Sequence, residues 1–242
     1  MSESFTFRAG RWTQINTTVV TDESEVDENL KLLYSNVSSH PKTFGRVVGL
    51  GIEKSFSSTT DGVISEKVAV LKLSTGNYCL IVHLIHLKKI PTSLAKFLNL
   101  SDITVVGVGI KQNLCDLRRD YGIQCGSAVV ELGDLVAATP SKKSSPIVTS
   151  FTLLDLSQYR QLLNIKARSY EPEPESDDVR YCNLVKSTDV AFGDWGSSEL
   201  SKDQICQASM EGLAIIQIAE DFGKFMNSAT NTIQVFGSSD YC

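Results

Sequence analysis

Apolar and polar positions alternate with two different periods along the chain, and this pattern predicts a mixture of strands and helices. The run VVGLGIE at 47–53 is short and apolar and is typical of a buried strand. Two further strands are predicted at 68–73 and 78–83, on either side of a typical hairpin turn, STGN. Residues 4–20 predict another hairpin. Strands that suit antiparallel pairing therefore dominate the first part of the chain.

Helical spacing appears in several other segments. Residues 21–35 carry apolar side chains every three or four positions behind Asp22, a predicted N-cap that Glu25 completes as a capping box. The longest predicted helix covers about 201–226 and has one apolar face. Between these two segments the predicted elements alternate: a helix at 92–98, a strand at 104–108, a helix at 110–121, a strand at 128–131 and a helix from 132.

Antiparallel strands followed by alternating strands and helices predict an α/β fold. We expect one mixed sheet with helices on both faces, in a single domain over residues 1–242. The polar sequence KSFSSTTDGVIS at 54–65 predicts a loop, and residues 152–163 predict a further helix. Residues 166–183 are irregular and acidic, and we expect this segment to be mobile.

The charge balance excludes a generally polycationic nucleic-acid-binding protein. The net charge is -5, and five of the 28 acidic residues lie in the sequence EPEPESDDVR at 171–180. The other 23 acidic residues balance the 23 lysines and arginines. The body of the protein is therefore about neutral, which permits contact with nucleic acid without requiring it.

The sequence also bears on location. No segment approaches the roughly 18 apolar residues of a membrane span, and the first residues lack the apolar core of a secretory signal. The six cysteines form no C-x-x-C pair, so zinc is not expected, and we expect buried, reduced thiols. These features predict an intracellular protein, in the cytoplasm or nucleus, with no membrane partner.

Two short patterns resemble ligand sites but are incomplete. The glycines of VGVGI at 106–110 lie between a predicted strand and a predicted helix, but a third glycine and a ribose-binding acid are missing. His83 and His86 lack an obvious third metal ligand and are interpreted as structural or solvent-facing. Neither pattern predicts a cofactor.

Several motifs occur in an order that resembles the Werner-type 3′–5′ exonuclease domain. They are VVGLGIE at 47–53, VAVLKLSTGNYCLIVHL at 68–84, IPTSLAKFL at 90–98, VVGVGIKQNLCDLRRDYGI at 105–123, VELGDLVAA at 130–138, and LSKDQICQASMEGLAIIQI at 200–218. The chain more narrowly resembles the plant branch that includes the RISC-clearing exoribonucleases. The Asp194-Trp195-Gly196 sequence resembles a tryptophan loop of that family. The resemblance covers about residues 12–225 and implies a ribonuclease H-like fold.

The resemblance also implies a site for two divalent metal ions, Mg²⁺ or Mn²⁺, held by four carboxylates. In active members these ions activate water, and a tyrosine near the last carboxylate orients it. Carried onto this chain, the first carboxylate position holds Gly51 and the next retains Glu53. The position on the second motif holds Asn113, the last carboxylate position holds Glu211, and the tyrosine position holds Gln207.

These substitutions predict a degenerate metal site. Two Mg²⁺ ions carry four positive charges, whereas Glu53 and Glu211 supply two negative charges at most. Asp116 lies one helical turn after Asn113 and is a candidate substitute ligand. The first hypothesis is therefore a catalytically impaired protein that binds nucleic acid or a protein partner with weak metal binding or none. The alternative is an active, metal-dependent 3′–5′ exonuclease.

Basic residues cluster in two places: His86, Lys88, Lys89 and Lys96 form one cluster, and Lys111, Arg118 and Arg119 form the other. The ordinary interpretation of such clusters is a solvated face. If they line the groove, they would contact the phosphates of a single-stranded nucleic acid. The family resemblance also implies that a homo-oligomer or another protein partner is possible.

Overall fold

The computed structural model describes residues 2–9, 13–39, 46–58, 62–137, 180–181 and 188–228. The strands are β1 (Glu3–Ala9), β2 (Thr13–Val20), β3 (Arg46–Ser58), β4 (Ile64–Thr75), β5 (Tyr78–Val82), β6 (Ile103–Gly107), β7 (Ala128–Glu131) and β8 (Arg180–Tyr181). The helices are α1 (Glu23–Ser39), α2 (Thr92–Phe97), α3 (Ile110–Tyr121), α4 (Leu132–Ala137), α5 (Thr188–Ala191) and α6 (Lys202–Ser228), with a 3₁₀ turn at Leu84–His86.

These strands form one mixed sheet in the order β7-β6-β3-β4-β5-β2-β1-β8. The strand β3 lies between β6, with which it pairs in parallel, and β4, with which it pairs antiparallel. The pairing of β3 with β4 shifts between Glu53 and Lys54, so a bulge follows the carboxylate that the sequence singles out. The candidate site lies beside this bulge, beyond the residues of β3 that pair with β6.

Helices cover both faces of the sheet, as the order of elements predicts. On one face α1, α2 and α3 pack over Leu50, Leu71 and Leu73. On the other face α6 packs over Val70 and residues of β2 and β5. The strand β5 is buried at every position because its successive side chains point to opposite covered faces. The expectation of an α/β mixed sheet is confirmed, whereas the single domain over the whole chain stays a prediction.

The predicted loop at 54–65 was wrong at both ends. Residues up to Ser58 continue β3, and β4 begins at Ile64, so the two strands form a ribbon beyond the sheet. Most of the ribbon's distal residues are exposed, and its polar sequence lacks the apolar alternation of a half-buried strand. Phe56 and Ile64 are 67% and 73% exposed, which shows that backbone pairing, rather than burial, defines this ribbon.

Other expectations fall partly outside the described residues. The predicted helix at 152–163 lies there, as does the acidic segment 166–183 except for Arg180–Tyr181. Cys79 and Cys125 are free and buried, as expected. Cys115 and Cys206 are each disulfide-bonded, so the expectation of reduced thiols was wrong for both, because spacing along the chain does not show which thiols approach in space.

Within the described part of the chain, every helix is too short or too polar to cross a lipid bilayer.

Candidate functional site

Three elements bring oppositely charged side chains together beside the bulge in β3. Glu53 comes from β3, Lys72 from β4 and Glu211 from α6. The Nζ atom of Lys72 lies 2.8 Å from Oε1 of Glu53 and also donates a hydrogen bond to Oε2 of Glu211. The side chains of Lys72, Glu53 and Glu211 are only 5%, 12% and 15% exposed. We call these three residues the Lys72 cluster.

The β3–β4 register explains why Lys72 reaches both carboxylates. Gly51 lies opposite Lys72 in the antiparallel pair, and Glu53 lies opposite Val70, so all four positions share the face covered by α6. A Cβ atom at residue 51 would lie 2.9 Å from Cε of Lys72. The absence of a side chain at Gly51 therefore provides the space in which the Lys72 side chain lies.

Lys72 is an ammonium ion at neutral pH. Burial by itself would lower the pKa of Lys72, but the negative charges of Glu211 and then Glu53 outweigh this effect and raise it above its usual value. The cluster therefore contains one positive and two negative groups, and its net charge is one negative.

Gln207 of α6 contacts the Lys72 cluster. It lies one turn before Glu211, and its Nε2 atom donates a hydrogen bond of 3.3 Å to Oε1 of that carboxylate. Both oxygens of Glu211 therefore accept hydrogen bonds from side chains of the protein. An amide at this position donates to the carboxylate and does not ionise at neutral pH.

Asn113 lies in the first turn of α3 and is half-buried. Its Nδ2 atom donates a hydrogen bond of 3.3 Å to the backbone carbonyl of Val108, just before the helix begins. This bond turns the amide toward the start of its own helix. The structure thus brings Gly51, Glu53, Gln207 and Glu211 together around Lys72, and gives Asn113 a bond to the backbone.

Asp116 takes part in a second group of charges rather than in this cluster. Its carboxylate is 1% exposed and lies 2.7 Å from Nζ of Lys54 and 2.8 Å from the guanidinium of Arg119. These contacts use both carboxylate oxygens for ion pairs with β3 and α3. The idea that Asp116 substitutes for a lost metal ligand therefore finds no support in its position.

The donor set does not fit a pair of divalent metal ions. Within the described residues, no three His, Cys, Asp or Glu side chains are grouped so as to hold one. The two acids of the cluster contact an ammonium ion, and Gly51 supplies no ligand. Mg²⁺ prefers near-octahedral oxygen coordination, and two carboxylates already bonded to a lysine do not provide it.

The basic residues predicted to bind nucleic acid are exposed and lie in two separate segments. Lys88 and Lys89 follow the 3₁₀ turn near the start of α1, where the backbone N–H of Lys89 donates to Glu23. Lys111, Arg118 and Arg119 belong to α3. Arg119 forms ion pairs with carboxylates, those of Asp116, Asp120 and Glu66.

Two histidines form hydrogen bonds to the backbone of the loop that contains Trp195, Gly196 and Ser197. The ring Nε2 of His83 donates a 3.0 Å hydrogen bond to the carbonyl of Trp195, and Nε2 of His86 lies 3.0 and 2.8 Å from the carbonyls of Gly196 and Ser197. His83 is fully buried, and this burial lowers its pKa to about 4. The structural interpretation of His83 therefore agrees with its contacts, which the sequence pattern did not reveal.

Sequence reasoning missed Lys72, the central residue of the site. A signal for it exists, because Lys72 interrupts the apolar run VAVLKL, which forms the buried second part of β4. A lysine in such a position needs an anionic partner. Its partner Glu211 is 139 residues away in sequence, so only the fold reveals the pair.

No family model and no curated protein sequence matches this chain. Solved structures do match its fold. The catalytic core of RRP6 from Trypanosoma brucei is 11% identical with a TM-score of 0.60, covering 94% of this chain and 51% of the other. RNase D from Escherichia coli, an exoribonuclease involved in structured RNA processing, is 11% identical with a TM-score of 0.60, covering 89% and 46%.

A third structure, Brucella melitensis NrnC with bound Mg²⁺, is 13% identical over 78% of each chain with a TM-score of 0.47. A likeness at that level does not extend its metal to this chain. This chain spans about half the length of the RRP6 and RNase D chains. At 11% identity these two matches establish a shared ribonuclease H-like exonuclease fold, and the fold alone does not determine activity.

Proposed function

We propose that this protein is a catalytically impaired relative of the Werner-type 3′–5′ exonucleases, from the plant branch, that acts by binding rather than by hydrolysis. The observation that carries the proposal is the position of Lys72, whose ammonium ion lies between the two retained acids Glu53 and Glu211. The exonuclease fold supports the relationship.

Metal-assisted phosphodiester cleavage needs cations that activate water and neutralise the leaving oxygen. An ammonium ion has no open coordination position for water, and the single positive charge of Lys72 is already paired with two carboxylates. The residue at the family's tyrosine position, Gln207, donates to Glu211 and does not act as a base. With Gly51 in place of a carboxylate, the cluster lacks the groups that the reaction requires.

The same charge balance bears on binding. Without metal ions, a phosphate placed beside the cluster would meet a net negative charge, which disfavours it. Binding of a single-stranded nucleic acid would therefore rest on the exposed basic residues outside the cluster: Lys88, Lys89, Lys111 and Arg118. Arg119 is the fifth such residue, and its guanidinium also pairs with Asp116 and Asp120. Such binding is expected to weaken steeply with salt. A protein partner or a homo-oligomer is the other form of the proposal.

The alternative is an active exonuclease that uses Glu53, Glu211 and Asn113 with Mg²⁺ or Mn²⁺. It is favoured by one observation, that two acids from β3 and α6 still approach a common point. This alternative requires Lys72 to leave that point when metal binds.

A nuclease assay separates the two. Purified protein is incubated with 5′-labelled single-stranded RNA and DNA in Mg²⁺ or Mn²⁺, beside the double variant E53A/E211A. We expect no trimming by either protein. Trimming by the wild-type chain that the double variant abolishes would establish the alternative.

Binding is measured in the same preparation by gel shift at two salt concentrations. We expect K88A/K89A to weaken any shift, whereas K31A, which removes an exposed charge from α1, leaves it unchanged. Absence of a shift at low salt would leave a protein partner as the form of the proposal to pursue.

A further inference from the structure

We propose that Lys72 is the resident cation of this site, taking the place of a divalent metal ion, and that its removal creates a site for a single divalent cation between Glu53 and Glu211. This inference rests on the proposed function and adds a cause to it. The chain would lack metal chemistry because one of its own side chains occupies the position of the metal.

The first argument is the convergence of three elements on one cation. Glu53 belongs to the central strand of the sheet, Lys72 to its antiparallel neighbour and Glu211 to the long helix that covers this face. The ammonium ion bonds to one carboxylate from each side. A bridging cation between two carboxylates is the arrangement that a metal ion makes with the same ligands.

The second argument is burial. The two carboxylates are 12% and 15% exposed and face each other across Lys72. Without a cation between them they would repel, and water would compensate little for the loss. Two hard oxygen ligands from different elements would then attract a hard divalent cation, with water molecules completing its coordination.

The third argument is the match between Gly51 and Lys72. A side chain at residue 51 would contact the Lys72 side chain, since a Cβ there would lie 2.9 Å from Cε. Truncation of Lys72 removes that obstacle. An aspartate at residue 51 would then project from the same strand face as Glu53 and add a third carboxylate to the site.

An ordinary buried ion pair is the competing interpretation. It predicts the same loss of stability when Lys72 is removed, because two buried acids lose their partner. It does not predict that a divalent cation restores the lost stability. Metal-dependent stability therefore separates the two interpretations, and it is read without any nuclease activity.

The test compares the 242-residue wild-type chain, K72A and K72A/G51D by thermal denaturation in EDTA and in excess Mn²⁺ or Mg²⁺. We expect K72A to lose about 10 °C in Tm in EDTA, and the metal to restore most of that loss. We expect K72A/G51D to bind Mn²⁺ at least tenfold more tightly than K72A in a calorimetric titration. The wild-type Tm should not change with metal.

The matched control is K72A/E211Q, which keeps the cavity but removes one of the two acids. We expect Mn²⁺ to have little effect on its Tm. If K72A does not fold in EDTA, it and K72Q are refolded with and without Mn²⁺, and recovery only with Mn²⁺ supports the inference. The inference would be overturned if Mn²⁺ raised the Tm of K72A and of K72A/E211Q equally. It would also be overturned if Mn²⁺ affected neither K72A nor K72Q.

The outcome is separable from that of the proposed function. If the wild-type chain does not trim RNA or DNA and the Tm of K72A does not change with metal, the resident-cation inference fails and the proposed function remains. If the wild-type chain trims its substrate, the proposed function fails whatever K72A does.

Discussion

Gly51 and Lys72 lie opposite each other in neighbouring antiparallel strands, and a Cβ at residue 51 would approach Cε of Lys72 to 2.9 Å. Replacing a glycine inside a strand with alanine ordinarily stabilises a protein by about 0.5–1 kcal/mol. Here the new methyl group requires the end of the Lys72 side chain, which bonds to two acids, to shift. The glycine and the lysine are therefore expected to behave as an energetically coupled pair.

We predict that G51A destabilises the protein by about 1–2 kcal/mol in the wild-type background and much less in the K72A background. Urea denaturation of the two single variants and the double variant measures the coupling. G49A is the control, because its Cβ would meet Ser74 and Ile215 rather than Lys72. Equal costs of G51A in both backgrounds would mean that Lys72 moves aside freely.

The buried carboxylate of Asp116 allows a second prediction. It pairs with Lys54 and Arg119, and D116N would leave these cations facing a neutral amide. We expect a loss of about 3 kcal/mol in the free energy of unfolding. The exposed Asp134 provides the comparison, and D134N should change stability by less than about 0.5 kcal/mol. Similar values for the two variants would show that the pairing of Asp116 contributes little.

Glu131 provides a third prediction. Its carboxylate accepts hydrogen bonds from the backbone N–H groups of Gly109 at 3.1 Å, Ile110 at 2.9 Å and Gly133 at 3.4 Å. The first two bonds satisfy donors at the start of α3, and the third satisfies a donor in the first turn of α4. We expect E131Q to lose about 1–2 kcal/mol, because one of its oxygens becomes an amide that faces N–H donors.

The control for Glu131 is E28Q, at an exposed position of α1, which should be nearly neutral. Chemical denaturation at neutral pH compares the two variants. The contacts of Glu131 also explain why the VGVGI sequence does not need a phosphate: an internal anion already lies at this helix N-terminus.

His83 gives a pH-dependent prediction. Burial lowers its pKa from 6.5 to about 4 in the folded protein, with His86 and Asp194 as the nearby titratable groups. Between these two values the unfolded chain binds a proton that the folded chain does not, so stability falls as the pH is lowered through this window. Relative to neutral pH, this proton uptake lowers the free energy of unfolding at pH 4.5 by about 2–3 kcal/mol.

The measurement is urea denaturation at pH 7 and pH 4.5 for the wild-type chain and H83Q. Glutamine keeps an N–H donor for the carbonyl of Trp195 but does not titrate, whereas the carboxylates common to both proteins titrate alike. We expect the wild-type chain to lose about 2–3 kcal/mol more than H83Q between the two pH values. Parallel losses would place the pKa of His83 near its ordinary value.

The strands and helices were predictable from the sequence wherever burial of one face gives the apolar residues a regular spacing. The helix at 110–121 and the strand at 128–131 have the predicted bounds, because each presents an apolar face to the core. The β3–β4 ribbon was not predictable in this way. Its exposed residues are held by backbone pairing, and backbone pairing leaves no pattern of apolar side chains.

The site was predictable in part for a similar reason. The family resemblance pointed to Gly51, Glu53, Gln207 and Glu211, and the structure places these four residues around one point. The resemblance did not point to Lys72. The role of Lys72 depends on the pairing register of β3 with β4 and on contact with α6, which is far along the chain. A single sequence shows which charges exist, whereas three-dimensional contacts show which of them neutralise each other.

The attachment of the ammonium ion to the chain has a consequence for how the cluster responds to its surroundings. A dissociable metal ion stabilises a folded protein by mass action, so its effect rises and falls with the free ion concentration. The ammonium ion of Lys72 is tethered to β4, and its effective concentration at Glu53 and Glu211 is set by the fold alone. The charge balance of the cluster is therefore complete as soon as the chain folds, whatever the supply of divalent ions.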